Sequence, residues 1–356
     1  TDVPDNTVET FVESTSKDVT GYGNAGIAGV DNDNLTTINT WVDATKDTNP
    51  DQTGTQAGLQ QLVNAVNAVL AGTTSGPTIP ASVTLEQFAA LGLDEIDTAT
   101  EQTLMNALIG QLPSSPAPTP ETLSTLAGVV SKVSALATGS STQTLTAAEL
   151  AALGLSVSTA DAVGLLNEVI QAGGSALIID QETLQKADGA VIKIATAANG
   201  SASTQPDLNA SDYAALGITL PDAVHVGMMN AWVGRQNDAP SLAGLSGAAE
   251  KIARILMQVS GTGPTPALTV ADFTGLGITN VSANNLGIVV ERLSGAQASD
   301  FETDDPIATL QALVDEAVMD YASQAVPVPT LSVWTVWLMM LMALLMGLHA
   351  SRTRAS

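Results

Sequence analysis

The sequence predicts an all-α protein, an elongated array of about five three-helix repeats followed by one C-terminal transmembrane helix. Three observations predict it. A phrase first seen complete at Val83–Leu93 recurs along the chain, and each copy closes on a glycine about sixty residues after the last. The copies open on Thr or Asn with an acid or amide three places later, the pattern that seals a helix N-terminus. Residues 331–348 then form an uncharged apolar run followed by Arg352 and Arg354.

The chain opens on Thr1-Asp2-Val3-Pro4-Asp5-Asn6-Thr7, with no basic-then-apolar leader. Residues 1–18 are expected to be a linker or the tail of a preceding β-sandwich module, so that the chain is a mature product or part of something longer.

The repeats are expected at about 19–80, 81–142, 143–205, 206–265 and 266–323. Their key glycines are Gly26, Gly92, Gly154, Gly217 and Gly277. The first copy is worn: Tyr22, Gly26, Ile27, Val30, Asn34 and Leu35 match Phe273, Gly277, Ile278, Val281, Asn285 and Leu286. In each repeat a short helix A is predicted first. Thr84, Thr146, Asn209 and Thr269 cap it, with Gln87, Glu149, Asp212 and Asp272 at the reciprocal position. Phe88, Leu150, Tyr213 and Phe273 begin its apolar face, and the glycine supplies a left-handed terminus on which the next Leu or Ile folds back.

Helix B follows, with caps at Thr98, Ser158 and Ser282, the last near Asn285, and an amphipathic stripe such as Val163, Leu166 and Ile170. Helix C is clearest at Thr119-Pro120-Glu121, a capping Thr, a Pro at the first helical position and an acid in the first turn. Its stripe is Leu123, Leu126, Val130, Val133 and Leu136. Ala176–Ile179 read as the apolar entry to another helix C. Gly-, Ser-, Thr- and Pro-rich stretches separate the helices. A lone sixty-residue unit buries only about 60% of its unfolded surface, so neighbouring modules are expected to stack.

Composition narrows the function classes. The 36 acidic against 11 basic residues give a net charge of −25, which argues against nucleic-acid binding. There is no cysteine, which excludes disulfides, thiolate metal sites and a Cys nucleophile. Aromatic residues make up 3% of the chain, so each core is built from Ala, Leu and Val.

At the C-terminus a Pro-rich spacer, 324–330, leads into the proposed membrane helix, 331–348, and a basic tail, 349–356. Trp334 and Trp337 sit at the entry end, and Met339, Met340, Met342 and Met346 are lipid-facing filler. The positive-inside bias of Arg352 and Arg354 puts the tail in the cytoplasm and the repeats outside it. Val328, Pro329, Thr330, Leu331, Ser332 and Trp334, with the apolar run and basic tail, resemble the IPTL-type C-terminal sorting signal of Gram-negative surface proteins. Val328 stands where that motif has Ile. The resemblance implies an exosortase-type transpeptidase as partner, a location at the inner membrane with a periplasmic or extracellular ectodomain, and release to the surface after processing. The repeat phrase likewise resembles the Thr-x-x-Asp-Phe-x-x-Leu-Gly-Ile phrase of very large adhesin-like bacterial surface proteins, which implies spacing and display.

Residues able to carry chemistry are few. His225 lies on a helix B without an acid or nucleophile at diagnostic spacing, His349 falls at the membrane exit, and no Ser occupies a Gly-x-Ser-x-Gly elbow. No enzyme and no cofactor are expected. Asp31-Asn32-Asp33-Asn34 and Asp300, Glu302, Asp304 and Asp305 could recruit Ca²⁺, but read first as helix caps. The function expected is a stalk or spacer. The alternative is an adhesin-type module that recognises a surface polysaccharide or protein, with Trp41 and Trp232 as its first candidates and core packing as their simpler role.

Overall fold

The computed structural model describes residues 5–14, 17–74, 82–178, 181–198, 208–324 and 337–343. These residues are helical or irregular, and no strand occurs among them. Two compact units are distinguished, Thr1–Glu250 and Lys251–Ser356.

The first unit begins with α1 (Asp5–Val12) and then carries α2 (Val19–Asn24), α3 (Leu35–Thr48), α4 (Pro50–Gly54) and α5 (Gln56–Thr74). A short helix followed by two longer ones recurs three times: α6 (Leu85–Ala90), α7 (Ala99–Ile109) and α8 (Pro120–Ala137), then α9 (Ala147–Ala152), α10 (Ala160–Leu177) and α11 (Gln181–Ala198), then α12 (Ala210–Ala215), α13 (Ala223–Val233) and α14 (Leu242–Val259). The second unit takes over within α14 and adds α15 (Val270–Thr274), α16 (Leu286–Ser294), a 3-10 turn (Ala298–Phe301) and α17 (Pro306–Gln324).

Each short helix has the same closed form. In α6 the Thr84 hydroxyl accepts the Gln87 amide at 3.2 Å while the Gln87 side chain accepts the Thr84 amide at 2.9 Å. Thr146 with Glu149 and Asn209 with Asp212 repeat the box, and in α15 Asp272 carries the link to Thr269. At the other end, the amides of Ile27, Leu93, Leu155, Ile218 and Ile278 return to the carbonyls of Tyr22, Phe88, Leu150, Tyr213 and Phe273 at 2.9–3.1 Å. That closure needs a left-handed residue, and the five key glycines have φ of 73–80°. A Cβ on Gly92 would meet nothing within 4 Å, so its requirement is backbone conformation alone; on Gly154 it would press on Gln181 Nε2 at 2.9 Å.

The long helices bury the expected stripes: Leu59, Leu62, Val66 and Val69 on α5, Leu123 to Leu136 on α8, and Leu184, Ala187, Val191 and Ile194 on α11. Within the first unit α8 packs against α7 and α10, and α11 against α10, α12 and α13. Consecutive modules there share apolar surface, as their thin cores require.

Several expectations are corrected. The C-terminal transmembrane helix is not found: among the described residues no helix is long and apolar enough to cross a membrane. Of the run 331–348 only residues 337–343 are described, and these are helical. Asp5–Val12 is helical instead of the tail of a β-module, because Val8 and Val12 are buried and Phe11 packs edge-on against Tyr22 at 4.8 Å. Ala176 and Leu177 end α10 beyond a kink at Gly174 (φ 60°, ψ −157°) and do not open a helix C. The cap of α10 is Thr159, one residue after Ser158, and Asn285 at the start of α16 instead accepts the Ser282 amide.

Candidate functional site

The recurrent polar side chains of the modules converge on two places, the back of helix A and the junction to the next module. Just before the short helix of four modules, one backbone peptide is held by an asparagine from the helix that follows it. Asn39, Asn106, Asn167 and Asn230 donate through Nδ2 to the carbonyls of Lys17, Val83, Leu145 and Leu208 at 2.9–3.0 Å. Their Oδ1 atoms take one of two partners. Where helix A carries Phe88 or Leu150, the acceptor receives the amide of Val83 or Leu145, at 3.1 and 2.7 Å. Where it carries Tyr22 or Tyr213, the phenol donates there instead, at 2.7 and 2.8 Å. Burial, aided by the charges of Asp43 and Asp212, raises the pKa of both phenols, so they remain protonated donors. The fifth module has Phe273 and, at the asparagine position, Val290.

A second contact clamps the loop after helix A. The amides of Ala28, Ser156 and Thr279, each two residues past the key glycine, donate to Gln60, Asp188 and Gln311 at 2.8, 2.9 and 2.8 Å. Those acceptors all lie thirty-four residues past the glycine.

The third contact ties one module to the next. Lys132 on α8 donates to both carboxylate oxygens of Glu149 on α9, at 2.8 and 2.9 Å. Lys193 on α11 reaches Asp212 on α12 at 2.7 Å. Arg254 on α14 brackets Asp272 on α15, through one guanidinium NH2 at 3.2 Å and through Nε, which lies 3.0 Å from Oδ1 as an ion pair without hydrogen-bond alignment. Each acid is also the reciprocal member of its helix cap, so one carboxylate both seals a helix and receives the neighbour. At the junction of α5 with α6 the cap residue is neutral Gln87, and Gln61, Asn64 and Glu86 line a polar cleft of about 620 Å³ there.

The hydrogen bond from Lys132, with the Thr146 amide, holds the Glu149 carboxyl below its ordinary value of 4.5. Burial works to raise Asp272, but the Thr269 amide and hydroxyl and Arg254 together outweigh it and hold it below 3.8. Both folded-state values are depressed. This stabilisation is therefore complete above the ordinary carboxylate pKa and is lost as pH falls through the folded value. Glu149→Gln, which keeps a capping acceptor, should cost about 1 kcal/mol near pH 7, and the gap to the parent should narrow as pH falls below the ordinary carboxylate range in paired denaturation curves. A gap unchanged down to low pH would show that the ion pair adds nothing.

The other candidates are placed as follows. Val328, Pro329, Thr330, Leu331, Ser332, Trp334, His349, Arg352 and Arg354 lie outside the described residues. His225 Nδ1 is 2.7 Å from Asp222 Oδ1, and Asp222 caps α13 by accepting the His225 amide at 2.9 Å. Burial works against the Asp222 charge, but these His225 bonds prevail and hold its pKa below the ordinary value. In the first acidic cluster Asp31 accepts the amides of Asp33 and Asn34, and Asn34 accepts that of Asp31. In the second, Asp300 accepts the Gln297 amide and Asp305 that of Ala308. No group of three or more His, Asp or Glu that could hold a metal occurs among the described residues. Trp41 and Trp232 are buried, at 2% and 7% exposure, and offer no open ring face for a saccharide.

Sequence reading missed the asparagines, the loop clamp and the junction cations. A signal existed: Asn39, Asn167 and Asn230 each lie thirteen residues past the key glycine, and Asn106 fourteen. Aligning the repeats on their glycines would have exposed it. No family model, no curated protein and no solved structure matches this chain.

Proposed function

We propose that this chain is a non-enzymatic, exported bacterial cell-surface protein whose helical repeats act as a stalk or spacer, and whose C-terminal segment is a sorting signal for an exosortase-type transpeptidase. The observation that carries the spacer reading is the reuse of one junction. Lys132–Glu149, Lys193–Asp212 and Arg254–Asp272 tie successive modules by the same charge pair from the same positions. A linkage that recurs at three successive junctions adds modules without adding chemistry, the requirement of a spacer. The recurrent asparagines are engaged in holding backbone, the His225 ring pairs with Asp222, and the net charge of −25 favours solubility. The sorting reading rests on the likeness of residues 328–334, with the apolar run and basic tail that follow, to the IPTL-type signal. Intact mass of the surface-exposed form from its host tests it. A species ending near Val328 is expected, and a surface form that retains Arg352 and Arg354 would rule processing out.

A further inference from the structure

Four asparagines stand in the Asn-x-Ser/Thr signal for N-linked glycosylation: Asn34, Asn199, Asn209 and Asn280. So short a signal also arises by chance, and the geometry of each side chain decides among them. A glycan is attached through the amide nitrogen, which has to be open to solvent and free of other bonds. Asn34 Nδ2 is used twice, donating to the Gly29 carbonyl at 2.8 Å and to Asn67 Oδ1 at 2.9 Å. Asn280 Nδ2 donates to Asp315 Oδ1 at 2.9 Å. Asn199 lies outside the described residues. Asn209 differs from all of these. It is exposed and works through its oxygen: Oδ1 accepts the amides of Ser211 and Asp212 at 2.9 and 3.2 Å and the Ser211 hydroxyl at 2.5 Å. Among the described residues nothing engages its Nδ2. A helix cap needs only an acceptor, and Thr84 and Thr146 supply one at the same place in sister modules. The asparagine therefore brings a nitrogen that its cap does not use. Asp207 adds an acid two residues ahead, the longer form of the signal read by bacterial oligosaccharyltransferases; Asn32, Ala197 and Ile278 stand there in the other three.

We propose that Asn209 is the acceptor of an N-linked glycan. Its Nδ2 forms a bond to the anomeric carbon of a sugar carried on a lipid diphosphate. The bond from that carbon to the diphosphate oxygen breaks, the lipid diphosphate leaves with the electron pair, and one Nδ2 proton is released. Oδ1 is unchanged by the step, so the glycan and the cap of α12 are compatible. At Asn34 the same step would remove at least one of the bonds that hold Gly29 and Asn67. The proposal rests on the exported reading only for where the chain meets its donor.

The test incubates the folded full chain with a bacterial oligosaccharyltransferase and a short oligosaccharide on lipid diphosphate, and reads intact mass. Enzyme and donor are supplied, so failure here would leave the exported reading standing. Addition of a single glycan is expected, with peptide masses placing it on Asn209. Asn209→Thr, which installs the cap of the sister modules, should abolish the addition with helix content unchanged by circular dichroism. Ser211→Ala should abolish it as well, because the hydroxyl two residues on is part of the signal. Asn280→Gly, at a left-handed position with φ 68°, should leave it in place. No addition to the folded parent, addition only after heat unfolding, or addition that survives Asn209→Thr would each overturn the proposal.

Discussion

Trp41→Ala is expected to destabilise the first module by about 3–5 kcal/mol, the usual cost of emptying a large aromatic site in a core that cannot collapse around it. Trp41 is 2% exposed, in a module that also buries Tyr22, Ile38, Val42, Leu59 and Leu62. Close-packed neighbours cannot simply move in and fill the space, so most of the cavity should persist. Hydrogen exchange is the measurement of choice, because a multi-module chain does not have one global unfolding free energy. Exchange should rise by orders of magnitude in α2, α3 and α5, while α13 stays protected. A loss under about 1 kcal/mol would contradict the core assignment. It would also reopen the reading of Trp41 as a binding residue, which its burial now opposes.

The second large effect is expected at Asn167→Leu, at about 2–4 kcal/mol. The side chain is 5% exposed; its Oδ1 accepts the Leu145 amide at 2.7 Å and its Nδ2 donates to the carbonyls of Leu145 and Val163 at 3.0 and 2.8 Å. Leucine fills a similar volume but leaves the Leu145 amide and carbonyl buried without partners, and each such group costs about 1–3 kcal/mol. Asn230→Leu makes an informative comparison, since there the stranded donor is the Tyr213 hydroxyl and Tyr213→Phe removes it. The double variant Asn230→Leu/Tyr213→Phe should therefore recover part of the loss in a thermal melt. Strict additivity of the two substitutions would sink the idea that phenol and amide act as one unit.

The Tyr–Asn relation shows why some of the molecule is legible in one sequence and some is not. Thr84 and Gln87 are three residues apart and Phe88 and Leu93 five, so their bonds form as soon as a turn forms, whatever the rest of the chain does. Periodicity likewise announces which face of α8 or α11 is buried. Asn167 reaches back twenty-two residues to Leu145, and Lys132 forward seventeen to Glu149. Such partners are chosen by how helices pack, and no spacing rule supplies that. The apolar run at the C-terminus gave the opposite error: hydropathy alone suggested a span, and among the described residues no helix is long and apolar enough to cross a membrane.

By itself, the sequence determined that the chain is helical, where the short helices begin and end, and that five glycines close them. Each of these is decided by groups within one or two turns of each other, where backbone geometry leaves few alternatives. Only the tertiary structure decided that the tryptophans belong to cores, that four asparagines hold the chain entering helix A, and that the cap acids of α9, α12 and α15 also receive the neighbouring module. These outcomes depend on which surfaces meet once the helices exist. The few polar groups enclosed there must find partners across that contact, because leaving them unpaired costs more than the contact itself supplies.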